Sequence, residues 1–191
     1  TGRPGLWSDY QKFCAQARRA RREEEANRVS RESAGLGTKV HNAIEKHILG
    51  ETVEFGNNMV SVMAKDMSEL MINEGFTNIN EVWGTEIGLI APGLYAGTTD
   101  CVGVHNGEDA IIDFKTSKKI KKEEWIEDYY LQCCAYALAH NEMYGTDIKK
   151  GVILMVSRDV KLKEFIIEGA RFEMYCDLWT QRLEEYYSKF G

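Results

Sequence analysis

The 191-residue sequence has very little proline and no long apolar run. With only two prolines it contains no proline-rich linker between domains, and its 43% hydrophobic content is enough for a core, so we expect one domain. A membrane span needs about 18 consecutive apolar residues, and neither such a run nor a basic-then-apolar signal pattern is found. The sequence therefore predicts an intracellular protein without a membrane partner.

The cysteines and the charge balance exclude further classes. Five cysteines, an odd number without a C-x-x-C pair, argue against a disulfide framework and a zinc ribbon. A net charge of −6 predicts no general attraction to nucleic acid, so a polyanion would need a local basic patch or metal ions. Two such patches are present, each also typical of a solvated surface. They are Arg18, Arg19, Arg21 and Arg22, and Lys115, Lys118, Lys119, Lys121 and Lys122.

The first third of the chain has helical patterns. A break is expected at Gly35-Leu36-Gly37, after which Thr38 can serve as an N-cap. Gly75 is expected to end a later helix in the left-handed conformation. The predicted helices are 8–31, 38–50 and 60–71. The Arg/Glu-rich first helix can guide a strand, dock a partner or solvate the domain, and composition does not choose among these.

Strand patterns begin near residue 79 and alternate with two more helices. Turn signals at residues 91–93 and 105–107 separate three strands and predict an antiparallel meander. The predicted strands are 82–90, 93–104, 110–115, 152–156 and 160–167, and the predicted helices are 122–144 and 170–190. This order predicts an α+β sandwich, with a central mixed β-sheet flanked by helices. We expect one domain, with a charged helical segment at 1–34 and a core at 35–191.

Two aspartates and a lysine lie within this predicted meander. Side chains alternate along a strand with a rise of about 3.3 Å per residue, so Asp113 and Lys115 should share one face while Ile112 and Phe114 share the other. A hairpin turn at Asn106-Gly107 would bring Asp100 beside them. Two carboxylates and a strand carbonyl suit a hard cation such as Mg²⁺. The alternative is an ordinary surface pair of little energetic value.

Further polar residues flank this group along the chain. His41 and Glu45 lie one turn apart on a predicted helix face, and Gln132 and Tyr136 do the same on another. Glu86 lies in a predicted strand, where a surface position is at least as plausible as a role in a site. Glu45 is equally compatible with a place beside a metal and with a solvated helix charge.

The five motifs in this order resemble the PD-(D/E)xK nuclease superfamily. They are Gly37-Thr38-Lys39-Val40-His41-Asn42-Ala43-Ile44-Glu45, Glu86, Gly97-x-x-Asp100, Asp113-Phe114-Lys115-Thr116 and Gln132-x-x-x-Tyr136. Within the superfamily, the sequence is similar to the branch of the RecB nuclease domain, mitochondrial genome maintenance exonuclease and phage-encoded exonucleases. Two departures are Thr99-Asp100 in place of Pro-Asp, and Asp113 in place of glutamate. The resemblance implies a restriction-endonuclease-like core.

The resemblance also implies roles for individual residues. Asp100, Asp113 and Lys115 would be catalytic, with Lys115 positioning or activating the attacking water and stabilising charge. The implied ligands of Mg²⁺ or Mn²⁺ are His41, Asp100, Asp113, the Phe114 backbone carbonyl and, as an open case, Glu45. The residues expected at the substrate are Thr116, Lys118, Lys119, Gln132 and Tyr136.

Some relatives hold an iron–sulfur cluster with one cysteine upstream and three downstream of these motifs. Cys14 can stand for the first, but only Cys176 follows Tyr136, so we expect no cluster.

The implied function is metal-dependent, sequence-nonspecific exonucleolytic hydrolysis of DNA in recombination, repair or phage DNA processing. Its partners would be linear DNA with free ends and a recombination or replication protein. It would act in the cytoplasm of a bacterium or a phage-infected cell. The alternatives are a structure-specific or nonspecific endonuclease of the same superfamily and a nonenzymatic DNA-binding subunit of a recombination complex.

Overall fold

The chain begins with one long helix. The structure, a computed structural model, describes the backbone of residues 6–191 and the side-chain surroundings of residue 16 and residues 18–191. The side chain of Cys14 and the first residues of segment 1–34 therefore lie outside the described residues. Helix α1, Leu6–Ile48, is 43 residues long. In the described side chains between 16 and 35 it is exposed, and from Leu36 onwards it buries one face.

The predicted break at Gly35-Leu36-Gly37 is wrong. Each glycine costs a helix roughly 1 kcal/mol relative to alanine, but Leu36 and Val40 in the same stretch are buried in a core shared with the sheet. Gly37 lies against Thr116, whose Oγ1 would be 3.3 Å from an added Cβ. Thr38 does not cap a new helix, because its hydroxyl donates to the carbonyl oxygen of Ala34. Packing thus outweighs the local preference for a break.

Helix α2, Met59–Leu70, is capped by Asn58, whose side chain accepts from the Ser61 N–H at 2.9 Å. The expected left-handed end at Gly75 is wrong, since Gly75 has φ −70°. The chain instead continues through a π turn, Met71–Gly75, and a 3₁₀ turn, Phe76–Asn78. An added Cβ at Gly75 would lie 3.3 Å from the Leu154 side chain, so the glycine serves close packing.

Five strands form one mixed sheet in the order β1-β2-β3-β4-β5. They are β1 Ile79–Ala91, β2 Tyr95–His105, β3 Glu108–Ser117, β4 Lys150–Ser157 and β5 Lys161–Glu168. All neighbours are antiparallel except β3 and β4, which are parallel. Asn106 and Gly107, both with positive φ, form the hairpin between β2 and β3. The predicted meander and mixed sheet are confirmed.

Helices cover both faces of the sheet. Helices α1 and α2 bury one face, where Ile112 and Phe114 of β3 pack. Helix α3, Glu127–Tyr144, and helix α4, Gly169–Phe190, cover the other, where Ile111 packs. The alternation predicted for β3 is therefore observed, and the fold is the expected α+β sandwich. None of the helices in the described part of the chain has both the length and the apolar character of a membrane span.

The central strands separate at one end. Strands β2 and β3 pair only from Cys101↔Ile112 to His105↔Glu108. Beyond that point β2 pairs with β1 alone, and β3 pairs with β4 alone. The fork between them holds Asp100 on one side and residues 113–116 on the other.

Close backbone contact between β1 and β2 offers a test of the fold. A Cβ added at Gly103 would lie 2.1 Å from the carbonyl oxygen of Glu81, whereas one at Gly88 would meet nothing within 4 Å. We expect Gly103→Ala to lower the free energy of unfolding by about 3 kcal/mol, because backbone atoms must move apart. Gly88→Ala should change it by less than about 0.5 kcal/mol. Urea unfolding of the two variants measures the difference, and equal stabilities would contradict this register.

Candidate functional site

Asp100 spans the fork between β2 and β3. Its Oδ2 accepts the backbone N–H of Phe114 at 2.8 Å, which satisfies a donor that β2 no longer pairs. The Phe114 N–H therefore points into the fork, and the carbonyl of the same residue points to the same side because strand residues present both groups together. This orientation is the one that a cation-binding carbonyl at Phe114 requires.

Asp113 and Lys115 form a buried ion pair. Asp113 is 1% exposed, and its Oδ1 accepts from Lys115 Nζ at 2.6 Å. The alternative of a solvated surface pair is therefore wrong. Burial, reinforced by the nearby charge of Asp100, raises the pKa of Asp113 even though Lys115 opposes the shift. The second oxygen of Asp113, Oδ2, is buried and has no hydrogen-bond partner among the described residues.

Lys115 is held in its charged form. Burial acts to lower the pKa of Lys115, but the carboxylates of Asp113 and Asp100 outweigh it, so that the pKa lies above its ordinary value. An ammonium group has three N–H donors. One donates to Asp113, and a second donates to Gln132 Oε1 at 3.1 Å. The third is left for a water molecule or a substrate oxygen.

Three side chains from different elements converge beside this pair. His41 of α1, Glu86 of β1 and Asp100 of β2 each offer one ligand atom, and these atoms all lie within 4.8 Å of one another. His41 Nδ1 is 3.7 Å from Asp100 Oδ1. Asp113, which the sequence placed among the ligands, does not belong to this group of three. It lies on the β3 side of the fork.

Glu86 has an unusual backbone conformation. Its φ of +50° lies in the left-handed region, which non-glycine residues adopt at a cost of about 1–3 kcal/mol. The neighbouring residues Thr85 and Ile87 pair with Cys101 and Thr99, so Glu86 lies opposite Asp100. Partial burial and the charge of Asp100 raise the pKa of the Glu86 carboxyl. The strained conformation thus brings a second acid to Asp100.

Glu45 lies at the edge of the group. It lines a cleft of about 410 Å³ together with His41 and Glu86, and its charge contributes to the raised pKa of Glu86. It lies outside the set of three converging ligand atoms. Its position fits an acid next to a metal, which the sequence had left open.

Gln132 and Tyr136 continue the polar chain away from Lys115. Gln132 Nε2 donates to Tyr136 Oη at 3.0 Å. The ring of Tyr136 lies against Gly97, where an added Cβ would come within 2.7 Å of Cε1. The glycine of the Gly97-x-x-Asp100 motif therefore makes room for this ring.

The remaining predicted residues follow the fork along β3. Thr116 is half-buried in β3 and faces Gly37 of α1. Lys118 and Lys119 are exposed in the bend after β3. Neither forms an ion pair with any residue in the described part of the chain. Both side chains are thus available to a ligand that enters the fork.

The place of Glu86 beside Asp100 could not be predicted from the sequence. Glu86 is exposed, as the surface alternative predicts, but its left-handed backbone, which has no local sequence signal, brings its carboxylate to His41 and Asp100. The only indication was its place in the order of motifs. The aromatic residues Tyr95 and Trp179, which lie beyond Gln132, gave no indication.

The donors of the fork fit a hard divalent cation. Carboxylate oxygens of Glu86 and Asp100 and an imidazole nitrogen of His41 are ligands that Mg²⁺ and especially Mn²⁺ accept. The buried, unpartnered oxygen of Asp113 is a further donor that lacks a hydrogen bond in the protein. Several carboxylates without a matching cation would repel one another, so a bound cation would relieve that repulsion.

The chain resembles known proteins over part of its length. No family model matches it. Over 101 residues, half of this chain, it is 32% identical to mitochondrial genome maintenance exonuclease 1 of Homo sapiens and 33% identical to that of Mus musculus. The chain spans 29% of the length of these curated relatives.

Among solved structures, a candidate exonuclease from Eubacterium rectale has a TM-score of 0.55. The superposition covers 81% of this chain and 65% of that chain, at 10% identity. This likeness is one of fold.

If the cluster of His41, Glu86 and Asp100 binds a divalent cation, that cation should raise the Tm of the protein. An ion present at 100 times its Kd stabilises a protein by about 2.7 kcal/mol. At this size, that corresponds to a rise in Tm of about 5–10 °C. We expect Mn²⁺ to produce such a rise in the wild type, and Asp100→Asn to reduce it to less than half.

Calorimetry in metal-free buffer, with and without Mn²⁺, makes the comparison. Asp66→Asn, on the exposed face of α2, removes one acid away from the fork and should keep the full rise. An equal rise in Tm in the Asp100→Asn variant and the wild type would show that the cation binds elsewhere.

Proposed function

We propose that the chain is a metal-dependent DNA exonuclease of the PD-(D/E)xK superfamily, hydrolysing phosphodiester bonds without sequence specificity in recombination, repair or phage DNA processing. The observation that carries the proposal is the group of His41, Glu86 and Asp100, with ligand atoms within 4.8 Å, beside the buried Asp113–Lys115 pair. The partial similarity to two proteins named as exonucleases supports the same activity.

The proposed metal ligands surround the fork from three elements. His41, Glu86 and Asp100 hold Mg²⁺ or Mn²⁺, and Asp113 Oδ2 and the Phe114 carbonyl complete the donor set. When bound, such a cation neutralises charge on the phosphate and makes water a stronger nucleophile at neutral pH. Glu45 acts on this group through its charge on Glu86.

Lys115 serves as a charged donor in this scheme. Because its pKa is raised, it remains protonated near neutral pH and does not accept a proton as a general base. Its third N–H orients the attacking water or contacts a phosphate oxygen, while Asp113 and Gln132 fix the position of Nζ. The fixed positive charge of the Lys115 ammonium stabilises the negative charge that develops on the phosphate in the transition state.

DNA must reach the fork despite the acidic chain. A net charge of −6 gives no long-range attraction, so the approach depends on the bound cation and on local lysines. Lys118 and Lys119 directly follow β3 and are exposed to solvent. Phosphate contacts of this kind hold the backbone and read no base sequence.

Digestion of defined DNA substrates tests the activity. We expect end-labelled linear DNA to be degraded with Mg²⁺ or Mn²⁺, covalently closed circles to survive, and EDTA to stop the reaction. Lys115→Ala should lower the rate about 10²–10³-fold, since a fixed charge at the developing oxyanion is lost.

Lys149→Ala is the matched control, because Lys149 is exposed and paired only with Asp147 among the described residues. It should retain the wild-type rate. Cleavage of circles would establish the endonuclease alternative. Binding of DNA without cleavage of any substrate would leave a nonenzymatic DNA-binding subunit.

The salt dependence of DNA binding tests whether Lys118 and Lys119, in the bend after β3, contact phosphates. If Lys118 and Lys119 both contact phosphates, replacing both with alanine should reduce the slope of log K against log salt by about 1.4 on single strands. Fluorescence anisotropy in EDTA, over a series of salt concentrations, measures the slope without cleavage. The double replacement of Lys65 and Lys149 removes the same charge elsewhere and should leave the slope unchanged. Equal slopes in both double variants would remove these lysines from the DNA path.

A further inference from the structure

A pocket adjoins the fork on the side of α3. It has a volume of about 340 Å³, at the lower end of the range for small-molecule sites. Its lining comes from β2, α3 and α4, so residues far apart in sequence build it. The lining includes Tyr95, Leu131, Gln132, Tyr136, Trp179 and Arg182.

The pocket walls are largely aromatic. Tyr95 and Trp179 pack edge to face with ring centroids 5.1 Å apart. The Tyr95 hydroxyl donates to the carbonyl oxygen of Ala135 at 2.9 Å, which fixes that ring against α3. The Trp179 indole N–H is buried beside the Tyr95 hydroxyl, where it opposes the rise in the pKa of Tyr95 that burial causes. The rings are thus held in place before any ligand enters.

Gln132 connects the pocket to the fork. Its amide oxygen accepts from Lys115 and its amide nitrogen donates to Tyr136, so a single side chain separates the two sites. A base in the pocket and a phosphate at Lys115 would therefore lie on opposite sides of this one side chain. At that separation the two groups can belong to the same nucleotide or to neighbouring nucleotides of one strand.

The rim of the pocket carries the positive charge of Arg182, which two neighbouring carboxylates neutralise. Arg182 donates to Glu127 at 2.9 Å and to Asp128 at 3.1 Å. A phosphate would have to compete with both carboxylates for this guanidinium. A flat, uncharged aromatic group meets no such competition. The walls and the rim together favour a base over a phosphate.

We propose that this pocket binds the nucleobase next to the phosphate held at Lys115, stacking it among Tyr95, Tyr136 and Trp179. The inference rests on the proposed function and adds a base subsite to it. Stacking tolerates all four bases, so the pocket anchors the strand without reading sequence. It also favours single-stranded DNA, because a paired base cannot leave the duplex without a cost of a few kcal/mol.

An abasic scan tests the subsite by binding alone. Single-stranded oligonucleotides with one abasic residue, moved stepwise from each end, are titrated against the protein in EDTA by anisotropy. We expect one abasic position near an end to weaken wild-type binding about 5- to 150-fold, because one base–aromatic stack is lost. Positions away from the pocket should have much smaller effects.

Two variants and one control make the scan specific. Trp179→Leu removes one aromatic wall of the pocket, and Tyr95→Leu removes another, while neither residue belongs to the fork. Both should bind intact DNA more weakly and lose the abasic penalty at that position. Trp83→Leu replaces a partly exposed tryptophan on β1 that stacks on His140 away from the pocket, and it should keep the penalty.

The outcomes separate this inference from the proposed function. If the wild type degrades linear DNA but the scan is flat, or both pocket variants keep the full penalty, the base subsite is wrong and the nuclease proposal stands. If no DNA is cleaved but the penalty appears in the wild type and vanishes in both variants, the subsite stands and the nuclease proposal fails.

Discussion

The burial of Asp113 beside Lys115 is the constraint on which the rest of the structure depends. Removing a charge from water costs several kcal/mol, and apolar residues of similar volume often give an equally stable or more stable structure. Strand β3 carries this pair between two hydrophobic layers, with Ile111 packed on one face and Ile112 on the other. The surrounding hydrophobic core must offset this cost. Gln132 Oε1 accepts one of the three N–H groups of the Lys115 ammonium. A charge pair kept at such expense is more easily explained by chemistry than by stability.

The fork between β2 and β3 places the Asp113–Lys115 pair next to polar side chains from other elements. Where the two strands separate, the Asp100 carboxylate accepts the backbone N–H of Phe114 in place of a β2 carbonyl. The separation leaves room for side chains from both helical layers. His41 arrives from α1, Glu86 from β1 and Gln132 from α3. From His41 to Gln132 these residues span about ninety positions of the sequence, so only the complete sandwich brings them together. A site of this kind is held by elements rather than by a loop, which fixes its geometry.

The strands and their faces could be predicted from the sequence because alternation and turn chemistry are local signals. Asp113 and Lys115 stood out for that reason, and the hairpin at Asn106-Gly107 followed from residues that accept positive φ. The continuity of α1 could not be predicted, since two glycines favour a break that only the burial of Leu36 overrides. Trp179 reaches the pocket from α4 through tertiary packing, which leaves no trace in its sequence neighbourhood.

The acids that converge at the fork repel one another. Glu86 and Asp113 both have raised pKa values, chiefly through burial and partly through the charge of Asp100. A carboxyl whose pKa is higher in the folded state favours folding while protonated, and that contribution is lost as the pH rises from the ordinary carboxyl pKa through the raised one. The contribution that these two carboxyls make to stability in their protonated form is therefore lost as the pH rises toward neutral. The cation of the proposed function would offset the repulsion between the carboxylates, so its binding would raise the stability of the fold.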